Sequence, residues 1–461
     1  MRSFLCAVMA LATAAQAETP GAGGDAPGFD VIYNVPPVQS IALDAPSNRL
    51  FAALTPVDGA PDGASAIVEW YMAPIRRAAM WQTGAIVSDI GISPDGLVYA
   101  AGQRAAPPGG YTSDASRSGV VITVDPARPG DAPDVFVTFP DNAAVDFSRY
   151  SQVVHDGSSR VFVTTPTQFT VTVYPERIEP GTVPPELRLR CGVPAQFSLF
   201  GPADRLGYVA STADGALLEA GLVDSDPRSG SADDCFRVAN VFNYGESPPS
   251  TLNSVVHAVL ADGAGMADAV LALEPNTGTL DLLRLDAGTS QLSRADWIDL
   301  GAAAPGSFTL LAASRDGSVI FVGGPSQDDI LRFRRDGGSL VPAGALRTGP
   351  GLRQIGISPD GHVAALVMRD GPMFDRIHLI RSPGALDKGR AGLPRGGDTL
   401  RLIQSELNGA GLEVGPADGI PGPRTASAIA RARTEEIHIE SGDFDLGSII
   451  EGVFLTPPER E

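Results

Sequence analysis

The chain has 461 residues, of which 43% are hydrophobic and 6% aromatic, with 53 glycines, 39 prolines and a formal net charge of −20. That length exceeds a single ordinary core, so one large domain plus something small is expected. The acidity argues against nucleic acid and anionic membrane surfaces as partners, because both repel a negatively charged protein.

The first residues read MRSFLCAVMALATAAQAETP. Arg2 gives a positive start, Phe4 to Ala14 is apolar but too short to span a bilayer, and Ala15-Gln16-Ala17 has the form of a signal-peptidase site. Residues 1–17 are therefore expected to be a signal peptide, with the mature chain starting near Glu18 in the periplasm or cell envelope. Cys6 lies early in that segment rather than at its end, which argues against a lipid anchor, and no later stretch is long and apolar enough to cross a membrane. Cys191 and Cys235 remain in the mature part. In an oxidising compartment they are expected to pair, closing a loop worth roughly 4 kcal/mol in the chain-entropy model; two separate buried thiols are the other reading.

Next comes a repeat. IGISPDGLVYAAG (90–102) recurs as IGISPDGHVAALV (355–367), and LAASRDGSVIFVG (311–323) is a third copy. Weaker copies lie at 40–54, 153–165, 198–211 and 255–274. Each reads as a strand, a turn and a returning strand. Proline presets φ, Ser and Asp bond nearby backbone, and glycine takes the positive φ. Further strand-like runs lie between copies: AIVEWYM (66–72), GVVITVD (119–125), FTVTVYP (169–175) and TLDLLRL (279–285). Four short strands per repeat of this period make a propeller blade. The repeats resemble the YVTN and SPDG-type blades of secreted and periplasmic β-propellers, over residues 28–385. The resemblance implies an all-β β-propeller; the seven copies make it seven-bladed, with six or eight blades as the alternatives, and GFDVIYNV (28–35) could pair with DRIHLIRS (375–382) to close the ring.

Residues 386–397 are polar and turn-rich and read as a linker. The pattern then becomes helical. In 398–412, Leu400, Ile403 and Leu407 share a face and the Gly409/Gly411 region stops the helix. A second helix opens at Gly422-Pro423, with Thr425, Ala428, Ile429 and Ala432 inward. Residues 398–434 resemble the small peptidoglycan-binding domain found at the ends of cell-wall proteins, through Leu400, Ile403, Gln404, Leu407, Gly411, Leu412, Gly415, Asp418, Gly419, Ile420, Gly422, Pro423, Arg424, Thr425, Ala428 and Ile429. They depart from it at Pro421, usually apolar, and at Ala432 and Arg433, usually an aromatic and a glutamine. The resemblance implies a small α-helical domain and peptidoglycan as partner. Gly415, Asp418, Gly419, Gly422, Arg424 and Thr425 are the candidate binding residues: the glycines let a ligand approach the backbone, and Arg424 offers a forked contact to a carboxylate. Residues 435–461 form a tail.

No zinc pattern, phosphate loop or G-x-S-x-G is visible, so no catalytic residue, metal or cofactor is assigned. His155 and His257 occupy similar places in two repeats and would approach the propeller axis together. Asp224, Asp226, Asp233 and Asp234 cluster, but without the spacing of a calcium loop, and read as an acidic turn. The expected function is that of an exported, non-enzymatic envelope protein. Its propeller is a platform for another envelope protein or a small ligand, and its C-terminal part is tethered to peptidoglycan. The alternative is a periplasmic hydrolase or lactonase using the central funnel.

Overall fold

In the computed structural model the described residues run from 28 to 431, without 56–63, 105–118, 139–152, 156–159, 165–169, 176–185, 190–193, 203–204, 213–216, 224–240, 244–254, 287, 302–305, 371–373, 387–389, 393–403, 406, 418–423, 426 and 429–430. They form seven sheets in chain order, antiparallel but for one pair. The first holds Val38–Asp44, Arg49–Leu54, Ala66–Met72 and Ile75–Gln82, and the next four repeat the plan. Their opening strands are Ala85–Ile92, Val153–His155, Pro194–Phe200 and Val256–Ala261, followed by Leu310–Ala313 and Leu352–Ile357 in the last two sheets. Each opening strand touches the opening strand of the following sheet, and the seventh touches the first, so the opening strands form a closed inner ring. This is a β-propeller.

The N-terminal strand Gly28–Val35 pairs with Asp375–Arg381 as the outer strand of the seventh sheet, as expected, with Ile32 opposite Ile377. The plan of seven like blades and a helical domain is corrected in two respects. Six sheets have four strands, but the sixth sheet in the chain has five. Its extra strand, Arg390–Gly392, lies within the stretch read as linker and pairs in parallel with Ser339–Arg347, covering an edge that the sequence leaves open. Second, the described chain is all-β apart from short helical turns. Near the C-terminus these occur at 404–409 and 424–431, interrupted by residues that are not described, and a helical domain is not what they establish. Among the described residues the buried apolar side chains there are Leu407, Leu412, Val414 and Ala428.

The turn chemistry is as the sequence implies. Ser93 donates to the Asp95 carboxylate and accepts from the Leu97 amide at 3.0 Å, and Gly96 sits at φ +86. Ser314 and Ser358 do the same with Asp316 and Asp360 at 2.7 and 2.5 Å, and they accept from Val319 and Val363. Alternation then buries both faces of each middle strand between neighbouring sheets. Val68, Trp70 and Met72 pack with Ile377 and Leu379 of the seventh sheet, while Ile67 packs with Ile90 and Val98 of the second.

Four opening strands carry a register irregularity at the same place: between Val38 and Ser40, Val87 and Asp89, Pro194 and Gln196, and Leu352 and Gln354. In three of them the residue after the bulge fastens the next sheet. The Ser40 hydroxyl donates to Asp89 at 3.0 Å and accepts from the Ile90 amide at 3.3 Å. Gln354 donates to the Val38 carbonyl at 3.4 Å. Gln196 donates to the His257 carbonyl at 3.0 Å and accepts from its amide at 2.7 Å, acting as one extra rung between sheets. Gln196→Ala leaves both backbone groups without their partner, so we expect a loss of about 1–3 kcal/mol in urea unfolding. An unchanged midpoint would show that this rung is redundant.

Candidate functional site

Of the sequence-assigned binding residues, Gly415, Arg424 and Thr425 are described, whereas Asp418, Gly419 and Gly422 lie outside the described residues. Cys191, Cys235 and the acidic run 224–234 also lie outside them.

The local build starts at Asn408. Its carboxamide accepts from the Val414 amide at 2.9 Å and donates to the Gly415 carbonyl at 2.8 Å, so one side chain shapes the loop that follows the first helical stretch. Gly411 and Gly415 supply the positive φ values of 79° and 89° that this loop needs. The Leu412 amide bonds back to the Leu407 carbonyl at 2.8 Å, and Leu407 and Leu412 are both buried. The second helical stretch is held to the first by Gln404, whose amide nitrogen lies 3.3 Å from the Thr425 hydroxyl in a buried bond.

Between loop and second stretch opens a cleft of about 870 Å³ lined by Asn408, Leu412, Glu413, Gly415, Arg424 and Ser427, with Gly411, Ala428 and Arg431 beside them. Gly415 and Arg424 therefore line one cavity. Thr425 does not join them: it is 2% exposed and spends its hydroxyl on Gln404, so it positions the stretch rather than touching a ligand. Glu413 and Ser427 line the cleft but were not assigned from sequence. In the structure Glu413 is the exposed member between the buried Leu412 and Val414.

The propeller axis gives a different picture. His257 is 2% exposed, and burial holds its pKa down at about 3, against a weaker opposing pull from the Val209 backbone. It is walled into the interface between sheets, where its backbone, not its ring, is used by Gln196. It lies on an inner-ring strand, but its ring is closed off from solvent and does not open into the funnel; the side chain of His155 lies outside the described residues. His378 is also 2% exposed, with its pKa lowered to about 3 by burial and then by the nearby Arg376 charge. Residues extruded at the bulges, Gln39, Ser88, Ala195 and Arg353, are partly or fully exposed at the inner ring. Arg353 is held by the buried Asp375 at 3.2 Å. Among the described residues no group of His, Cys, Asp and Glu is arranged to hold a metal ion.

No protein-family model matches the chain, and no curated protein matches it. Solved structures resemble it in fold. The structure of U3-55K superposes with a TM-score of 0.52 at 11% identity over 76% of this chain and 98% of that one. The β-propeller domain of Cps50 (Swd1) from Myceliophteria thermophila gives 0.50 at 13% identity over 76% and 99%. The periplasmic gluconolactonase of Pseudomonas aeruginosa gives 0.48 at 16% identity over 68% and 85%. At these identities the likeness is one of propeller fold alone.

Proposed function

We propose that this protein is an exported cell-envelope binding protein whose C-terminal cleft holds peptidoglycan while the propeller presents a docking surface to another envelope protein or small ligand. The observation that carries this reading is that Gly415, which lets a ligand approach the backbone, and Arg424, a cation suited to carboxylate, line one open cleft. The N-terminal Arg2, the short apolar run and Ala15-Gln16-Ala17 support export to the compartment where that polymer lies. The closed-off rings of His257 and His378 weigh against acid–base chemistry in the funnel by these two residues.

The test is co-sedimentation of the full chain with purified sacculi, beside Arg424→Ala. Arg424 is exposed, so the substitution should change stability by about 0.5 kcal/mol or less. Loss of a charged hydrogen bond should cost roughly 1.5–3 kcal/mol of retention, tenfold or more. A parent protein that stays in the supernatant ends this reading.

A further inference from the structure

The cleft is lined by one acid, Glu413, and two arginines, Arg424 and Arg431; Arg431 is already engaged in an interaction, whereas Glu413 and Arg424 do not neutralise each other. Glu413 and Arg424 are both exposed and both line it, and among the described residues neither enters an ion pair or side-chain hydrogen bond. Ser427 adds a hydroxyl to the same wall, while the buried Leu412 and Ala428 give the cleft an apolar component. A ligand offering only a carboxylate would satisfy Arg424 and be repelled by Glu413. A ligand offering only an amine would meet the reverse. A group bearing both charges on one carbon satisfies both, and a short methylene arm behind it would lie against Leu412 and Ala428.

Resting on the wall-binding reading above, we propose that the cleft recognises a free α-amino-acid head on the side arm of a wall peptide. Its ammonium turns to Glu413 and its carboxylate to Arg424. The chemistry that fits is a diaminopimelate-type arm, which ends in both groups. A lysine arm ends in the amine alone. Glu413 and Arg424 are therefore specificity-determining residues, and each reads a different half of the head.

The experiment titrates the full-length protein with L-alanyl-γ-D-glutamyl-meso-diaminopimelate and with the same tripeptide carrying lysine. The parent should bind the diaminopimelate peptide about tenfold or more tightly, the usual scale of one charge-assisted contact. Arg424→Gln should erase that difference, because it removes the group that reads the extra carboxylate. Glu413→Gln should weaken both peptides about tenfold, because both carry the amine. Circular dichroism and thermal unfolding of each variant check that the fold is kept. Equal affinity of the parent for the two peptides overturns the proposal, as does a preference that survives Arg424→Gln or binding indifferent to Glu413→Gln. If the parent sediments with sacculi yet binds neither tripeptide, the head-recognition proposal falls and wall binding stands. If it does not sediment, both fall.

Discussion

Replacing Asp375 with alanine should destabilise the propeller by about 3–5 kcal/mol, the usual cost of removing one member of a buried charged network. Asp375 is fully buried, and its carboxylate joins three parts of the ring. It accepts from the Val38 amide at 2.7 Å, where the first sheet begins, and from Arg353 of the seventh sheet at 3.2 Å. It opens the strand that pairs with the N-terminal Gly28–Val35. Truncation strands the Val38 amide and leaves Arg353 without its counter-ion. Asp375→Asn keeps one acceptor and should cost clearly less. Urea unfolding of parent and both variants tests this ordering, and an alanine variant as stable as the parent would show that the ring closes on apolar packing alone.

The second large effect is acid sensitivity through two buried imidazoles. His378 lies opposite Leu366 on one strand and Val31 on the other, and neither ring nitrogen has a hydrogen-bond partner among the described residues. Its folded pKa is about 3 against an ordinary 6.5, and the same holds for His257. The unfolded chain therefore takes up protons below pH 6.5 that the folded chain refuses until about pH 3. Stability from these groups is complete above pH 6.5 and falls as the pH drops towards 3. By about pH 4.5 each imidazole withdraws roughly 2–3 kcal/mol. His378→Leu should remove one such contribution. Its unfolding free energy should fall by about that much less than the parent's between neutral pH and 4.5. Parallel losses in the two proteins would place the acid sensitivity elsewhere, in the carboxylates.

The strands were legible because their causes are local. Alternation in AIVEWYM and GFDVIYNV gives Ala66–Met72 and Gly28–Val35 to the residue, and Ser-Pro-Asp-Gly dictates its own turn. The inner-ring fastening by Ser40, Gln196 and Gln354 was not legible, because the bulges that aim these residues answer to a neighbouring sheet rather than to their own strand. His257 misled for the same reason: its position along the strand is readable, but which face of that strand the next sheet covers is not. In the cleft, turn chemistry and charge single out Gly415 and Arg424, which line one cavity. The burial of Thr425 against Gln404 was not legible, because that partner lies 21 residues away, and the place of Glu413 in the cleft wall was not, because an exposed acid in an acidic chain carries no mark of its own. The strand Arg390–Gly392 was read as linker because its pairing is supplied wholly by another strand's open edge.

The seventh sheet is built from both ends of the propeller, and this fixes when a finished ring exists at all. The Val38–Asp375 bond spans 337 positions, so during synthesis the opening residues of the propeller wait for its closing ones. The entropic penalty for that wait is mild, since loop closure grows only with the logarithm of length, by roughly 0.6 kcal/mol per doubling. The delay in time is not mild. Until residue 381 emerges, the N-terminal strand has no partner and the first sheet has an uncovered flank, a condition that invites pairing with other chains. An arrest of synthesis before residue 375 would therefore leave an open arc rather than a slightly shortened wheel.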